Sequence, residues 1–145
     1  MFKHILVPVD GSSTAQLAVD KAISLAKAFG SRVTAIFVID PYPFTGVGTD
    51  FAYGQAEYLS AATAEANAAI KASRAAFEAA GISAETSVIE ANAAWRGVVQ
   101  SAKTIGADLI VMGSHGRSGL EKLVLGSVTQ AVLSHTHLPV LVVRD

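Results

Sequence analysis

The chain contains no cysteine, which excludes disulfide staples, thiolate catalysis and every metal site built on sulfur. It has no block of basic residues, and 11 Lys and Arg against 12 Asp and Glu leave a net charge of −1. A polyanionic partner, whether nucleic acid or an anionic membrane, therefore finds no electrostatic footprint. No run approaches the roughly 18 consecutive apolar residues of a membrane-spanning helix. The opening MFKHILVPVDGSS has neither the apolar length nor the small-residue cleavage site of a signal peptide, so the cytoplasm is the expected compartment. Charged residues are also scarce, at 16% against 51% apolar, which is the balance of a folded chain and not of a disordered one.

What is present is regular alternation. At 145 residues the chain has the size of one domain, which buries roughly 68–70% of its unfolded surface. Five short β-branched runs occur at Ile5–Val9, Val33–Ile39, Thr86–Ile89, Leu109–Met112 and Val140–Val143. Most are continuous apolar runs, the pattern of strands covered on both faces. Helical patterns separate them. Ser12 or Ser13 is an N-cap for a first helix carrying Ala18, Ala22, Leu25 and Phe29, and Gly30 stands at its C′ position. An alanine-rich second helix runs from about Ala56 to Ala80, before Gly81. Trp95, Val98, Val99, Ala102 and Ile105 form the stripe of a third, stopped by Gly106, with Trp95 expected in the core. A fourth runs from about Ser127 to Ser134, followed by Pro139. The alternation predicts an α/β fold: a single doubly wound, five-stranded parallel sheet with helices on both faces, spanning 1–145. Asp40–Gln55, with two prolines and three glycines, reads as one long irregular loop.

In such sheets ligands bind beyond the carboxyl ends of the strands, where strand order reverses. The residues to inspect are Asp10-Gly11-Ser12, Asp40, Glu90, the run from Gly113, and Arg144-Asp145. The run Gly113-Ser114-His115-Gly116-Arg117-Ser118-Gly119, followed by Gly126-Ser127, suits an anion. Gly113 and Gly116 let backbone N–H groups approach closely and tolerate positive φ. Ser127 opens a helix whose first N–H groups are unpaired and whose dipole is positive there, and Arg117 adds a forked cation. The same residues also make plain structure. Glycines after a strand make turns, Ser127 with Gln130 forms a capping box, and Asp10 suits an Asx-turn. His135 near a helix C-terminus suits the dipole. His135-x-His137 lacks a third ligand for a metal.

The spacing Gly113-x2-Gly116-x9-Gly126-Ser127 resembles the ATP-binding signature of the universal stress protein family. Ile5-Leu6-Val7-Pro8-Val9-Asp10-Gly11-Ser12 is similar to that family's first strand, Val111-Met112-Gly113-Ser114-His115-Gly116 to its fourth, and Pro139-Val140-Leu141-Val142-Val143 to its last. The resemblance implies a Rossmann-like fold of the adenine nucleotide alpha hydrolase-like kind, binding ATP or AMP. It implies that Gly113, Gly116, Gly126, Ser127 and Val128 hold phosphates and ribose. Pro8, Val9 and Asp10 would line the ribose side, with Asp10 able to bond a hydroxyl or to help place Mg2+, and Val38 and Met112 would border the adenine. His115 and Arg117 stand in the phosphate loop. Ala91-Asn92 replaces a Gly-Asp pair common in relatives, read as a change of helix cap.

A nucleotide-dependent regulator with little or no catalysis is the leading expectation, because the loop lacks the Gly-Lys-Ser/Thr of a P-loop and Asp10 is its one obvious acid. The alternative is a slow nucleotide hydrolase or phosphotransferase using Asp10 and His115. A receiver-like phosphorylation domain would need more acids after the first strand, and a protein-interaction module would leave the pocket empty. The resemblance also implies a homodimer through Val140–Val143, an apolar strand that would otherwise be an open edge.

Overall fold

The computed structural model describes residues 1–41, 49–116 and 125–145. The elements alternate along the chain: β1 (His4–Pro8), α1 (Ser13–Phe29), β2 (Arg32–Ile39), α2 (Thr49–Ala79), β3 (Glu85–Glu90), α3 (Ala94–Ile105), β4 (Leu109–Gly113), α4 (Ser127–His135) and β5 (Val140–Val143). The strands form one parallel sheet in the order β3-β2-β1-β4-β5, which is the expected doubly wound architecture.

Alternate side chains feed two cores. Ile5, Val7, Val33, Phe37, Leu109 and Val111 face Ala18, Val19 and Ala22 of α1 and Ala66, Ile70 and Phe77 of α2. Leu6, Ile36, Ile110 and Met112 face Val98 and Ala102 of α3 and Val132 of α4. Burying each large aliphatic or aromatic side chain contributes about 1.5–3 kcal/mol. The small residues on α1 allow that helix to lie close to the sheet, so it reaches across β1 onto β4 and β5.

Several local expectations are corrected. The second helix begins at Thr49, so residues 49–55 are helical rather than part of a long loop. The Gln55 side-chain amide donates to the Pro41 carbonyl and the Tyr58 hydroxyl to that of Asp40. These bonds anchor the first turns to the end of β2 and offset the low helix propensity of Gly54. The rest of the expected loop, residues 42–48, lies outside the described residues. Phe29 is not on the buried stripe of α1. It is 43% exposed and meets Phe2 edge-to-face at 5.7 Å. Trp95 packs against the second core as expected but is only partly buried, stacking on His135 at 4.0 Å with Arg96 5.0 Å from its ring centre. His135 also hydrogen-bonds the Ala131 carbonyl through Nδ1 at 2.7 Å. The capping box does not form. Gly126 is the N-cap of α4, and the Gln130 side chain donates to the Leu125 carbonyl at 2.6 Å. At α3 the cap position is Ala93, with φ 106 and no side-chain hydrogen bond.

Candidate functional site

The central seam of the sheet creates a cleft. β1 pairs with β2 over five residues, but with β4 only through Ile5–Leu109 and Leu6–Ile110. Beyond those pairs each strand turns to its outer neighbour. The Val9 amide donates to Ile36 and the Ser114 amide to Val143, each at 2.8 Å. The carboxyl ends of β1 and β4 therefore separate at the point where strand order reverses, the place such sheets offer a ligand.

The cleft has a volume of about 150 Å³ and brings together nine of the twelve residues singled out in the sequence: Pro8, Val9, Asp10, Val38, Met112, Gly113, His115, Gly116 and Val128. Gly126 and Ser127 stand just behind Val128 at the start of α4. Arg117 lies outside the described residues. Ser12, Ala15, Ala94, Val98 and Thr129 also line the cleft. Ser12 stands among the strand-end residues singled out in the sequence, whereas the other four were missed as site residues because they lie within helices or helix starts.

Asp10 makes the Asx-turn: its Oδ1 accepts from the Ser12 amide at 2.9 Å. Gly11, with φ 81, completes a turn that a side-chain-bearing residue would strain. Ser12 then caps α1, its hydroxyl accepting from the Ala15 amide at 3.2 Å. Across the cleft, Thr14 donates to the His115 carbonyl and Thr129 to the Gly113 carbonyl at 2.9 Å. The Gly126 amide donates to the Ser114 carbonyl at 2.7 Å, which seats the N-terminus of α4 beside the loop. His115 Nε2 lies 3.7 Å from Asp145 Oδ1.

The expected positive φ is not the reason these glycines are small. Among Gly113, Gly116 and Gly126 none has positive φ. A Cβ on Gly113 would lie 2.8–2.9 Å from Thr14, one on Gly116 2.5 Å from Asp10 Oδ2, and one on Gly126 3.0 Å from the His115 Cα. The loop needs these glycines to pack against its own chain. Larger grooves are also present, and two stand out. One of about 710 Å³ runs between α1 and α2 and shares Val9, Asp10, Ser12 and Ala15 with the cleft. The other, about 650 Å³, lies over β2 and β3 beside α3. Neither draws on β4 or on the N-terminus of α4. Among the described residues no group of three or more His, Cys, Asp or Glu could hold a metal ion, and no helix is long and apolar enough to cross a membrane.

The family model described as the universal stress protein family matches residues 1–144. The chain is 38% identical to universal stress protein MJ0531 of Methanocaldococcus jannaschii over 145 residues, covering 99% of this chain and 83% of that protein. Among solved structures, the universal stress protein UspA of Lactobacillus plantarum superposes with a TM-score of 0.85 at 27% identity, covering 98% of this chain and 97% of that one. A universal stress protein in complex with cAMP superposes with a TM-score of 0.70 at 25% identity, covering 99% and 97%.

Proposed function

Because this chain belongs to the universal stress protein family, we propose that the cleft between β1 and β4 binds an adenine nucleotide, ATP or AMP, and that the protein is a nucleotide-dependent regulator of a stress response with little or no catalysis. The observation that carries this reading is the convergence of Pro8-Val9-Asp10, Met112-Gly113, His115-Gly116 and Val128 on one cleft at the strand-order reversal. A relative solved with cAMP supports a nucleotide as the occupant. In this reading Val38 and Met112 flank the adenine, and Pro8, Val9 and Asp10 the ribose. Gly113, Gly116, Gly126, Ser127 and Val128 hold the phosphates and ribose, with His115 beside them. Unpaired amides at the start of α4 and its dipole favour the negative charge.

A Mg2+ ion fits as a passenger of the triphosphate. Asp10 Oδ1 is engaged by Ser12, which leaves Oδ2 as one protein oxygen, and Mg2+ is commonly held by one or two carboxylates plus phosphates. Asp10→Asn then reduces the Mg2+ dependence of binding. Among the described residues the base walls around Val38 and Met112 offer mainly apolar side chains and backbone groups, so ATP should bind better than GTP. Mass spectrometry of the purified, undenatured protein for a co-purifying adenine nucleotide, followed by calorimetry with ATP and GTP, tests this. Equal affinity for the two, or none for either, overturns it.

The pairing of His115 with Asp145 favours a second reading, slow hydrolysis or phosphoryl transfer with Asp10 and His115. Sustained turnover of Mg·ATP that His115→Asn abolishes is its expected mark. The protein also pairs with a second copy in this proposal. β5 is a sheet edge with Leu141 39% exposed, and natural proteins cover such edges. Light scattering at micromolar concentration should give a dimer, and Leu141→Lys a monomer.

A further inference from the structure

The geometry points to Thr14 as a positioning residue that aims the backbone amide of Gly116 into the cleft, an inference that rests on the nucleotide reading. Thr14 lies in the first turn of α1 and is fully buried. Its side chain does not line the cleft, so it cannot touch an occupant and must act through its neighbours. Its hydroxyl is not needed to start the helix, because Ser12 already supplies the cap. The hydroxyl instead crosses to the other side of the seam and donates to the His115 carbonyl, 101 residues away in sequence. Ser12 Oγ lies 3.4 Å behind it.

A trans peptide unit points its C=O and N–H in opposite directions. Holding the His115 carbonyl on Thr14 therefore turns the Gly116 N–H away from α1. His115 and Gly116 both line the cleft. The end of β4 is seated directly against α1, since Gly113 is pressed so closely on Thr14 that a Cβ would lie 2.8–2.9 Å from its atoms. From the other side Thr129, 2% exposed, holds the Gly113 carbonyl. The Ser114 amide of that peptide is already spent on Val143. Of the two hydroxyl clamps, only the one from Thr14 holds a peptide whose amide has no hydrogen-bond partner among the described residues. A donor so aimed serves an anionic phosphate and is indifferent to the base and sugar.

The test is calorimetric titration of the full chain with ATP and, separately, with adenosine, for wild type, Thr14→Val and Thr14→Ser. Thr14→Val keeps the shape and removes the hydroxyl. It should weaken ATP by about tenfold, the loss expected for one misdirected hydrogen bond to a charged group, while adenosine affinity stays within about twofold. Thr14→Ser should restore ATP binding. Should Thr14→Val fail to fold, Thr14→Ala removes the same hydroxyl with less crowding and carries the same expectation. Equal losses for ATP and adenosine, no loss for either, or failure of serine to restore binding overturns the assignment. A wild-type chain that binds neither ligand overturns the nucleotide reading itself, whereas wild-type ATP binding that the valine variant leaves intact overturns only the role of Thr14.

Discussion

The most strained described residue borders the cleft. Ala93 has φ 106 and ψ 135, a conformation that costs a residue with a Cβ about 1–3 kcal/mol and glycine little. Its amide donates to the Ala91 carbonyl at 2.9 Å, and the next residue, Ala94, lines the cleft. Ala93→Gly should therefore stabilise the protein by about 1 kcal/mol, seen as a rise of roughly 2–4 °C in thermal midpoint. An unchanged or lower midpoint contradicts the strain. Gly97 is the opposite case. Alanine in a helix interior is favoured by up to about 1 kcal/mol, yet a Cβ here would lie 2.7 and 2.9 Å from the two methyl carbons of Val38 and 3.2 Å from the Cβ of Ala91. Overpacking of this kind costs about 1–3 kcal/mol, so Gly97→Ala should lower the thermal midpoint. It should also displace Val38 from the cleft wall. Neither effect is legible in the sequence, where Ala93 reads as an unremarkable helix start and Gly97 as a weak helix former. Asp10 is different: its turn is made by atoms two residues away, and so local chemistry alone identifies it.

Among the elements, those with strong local punctuation were readable and those anchored from a distance were not. α1 and α3 end where Gly30 and Gly106 adopt left-handed conformations, at φ 67 and 70. α2 starts earlier than its composition suggests because Gln55 and Tyr58 reach back to β2. α4 loses its capping box because Ser114 holds the Gly126 amide. The start of β1 has a similar long-range anchor. The Asp108 carboxylate accepts from the amides of Lys3, at 2.9 and 3.1 Å, and of His4 at 3.0 Å. The bond from Lys3, aided by that from His4 and opposed by burial, holds the Asp108 carboxyl below its usual range. A depressed carboxyl contributes stability that is present above its unfolded value of about 4. That contribution is lost as pH falls through the folded value. Asp108→Asn should therefore melt below wild type at pH 7, and the difference should shrink below about pH 4. A difference that is constant from pH 7 to pH 3 would show that the charge is not involved.

For the whole molecule, alternation of strand and helix predicts the doubly wound sheet, but the order β3-β2-β1-β4-β5 is not written in any local pattern. It depends on which apolar faces meet, and periodicity is blind to that. The same limit applied to the cleft. The residues on its rim could be chosen because they follow strands, while Thr14 and Thr129 could not, since their hydroxyls act across the seam.

That seam also has a history in time. β1 can pair with β2 once the first 39 residues exist, but its other edge waits for β4, and the contact of His4 with Asp108 spans 104 positions. Closing so long a loop is entropically unfavourable and tends to come late. The cleft is then among the last parts of the molecule to be completed during refolding and among the first to be lost. An occupant that needs both strands has nothing to hold in the transition state, so it should leave the refolding rate unchanged and slow unfolding in proportion to its binding. Stopped-flow measurements with and without saturating ATP read this directly, and a faster refolding phase would mean that β1 and β4 meet early.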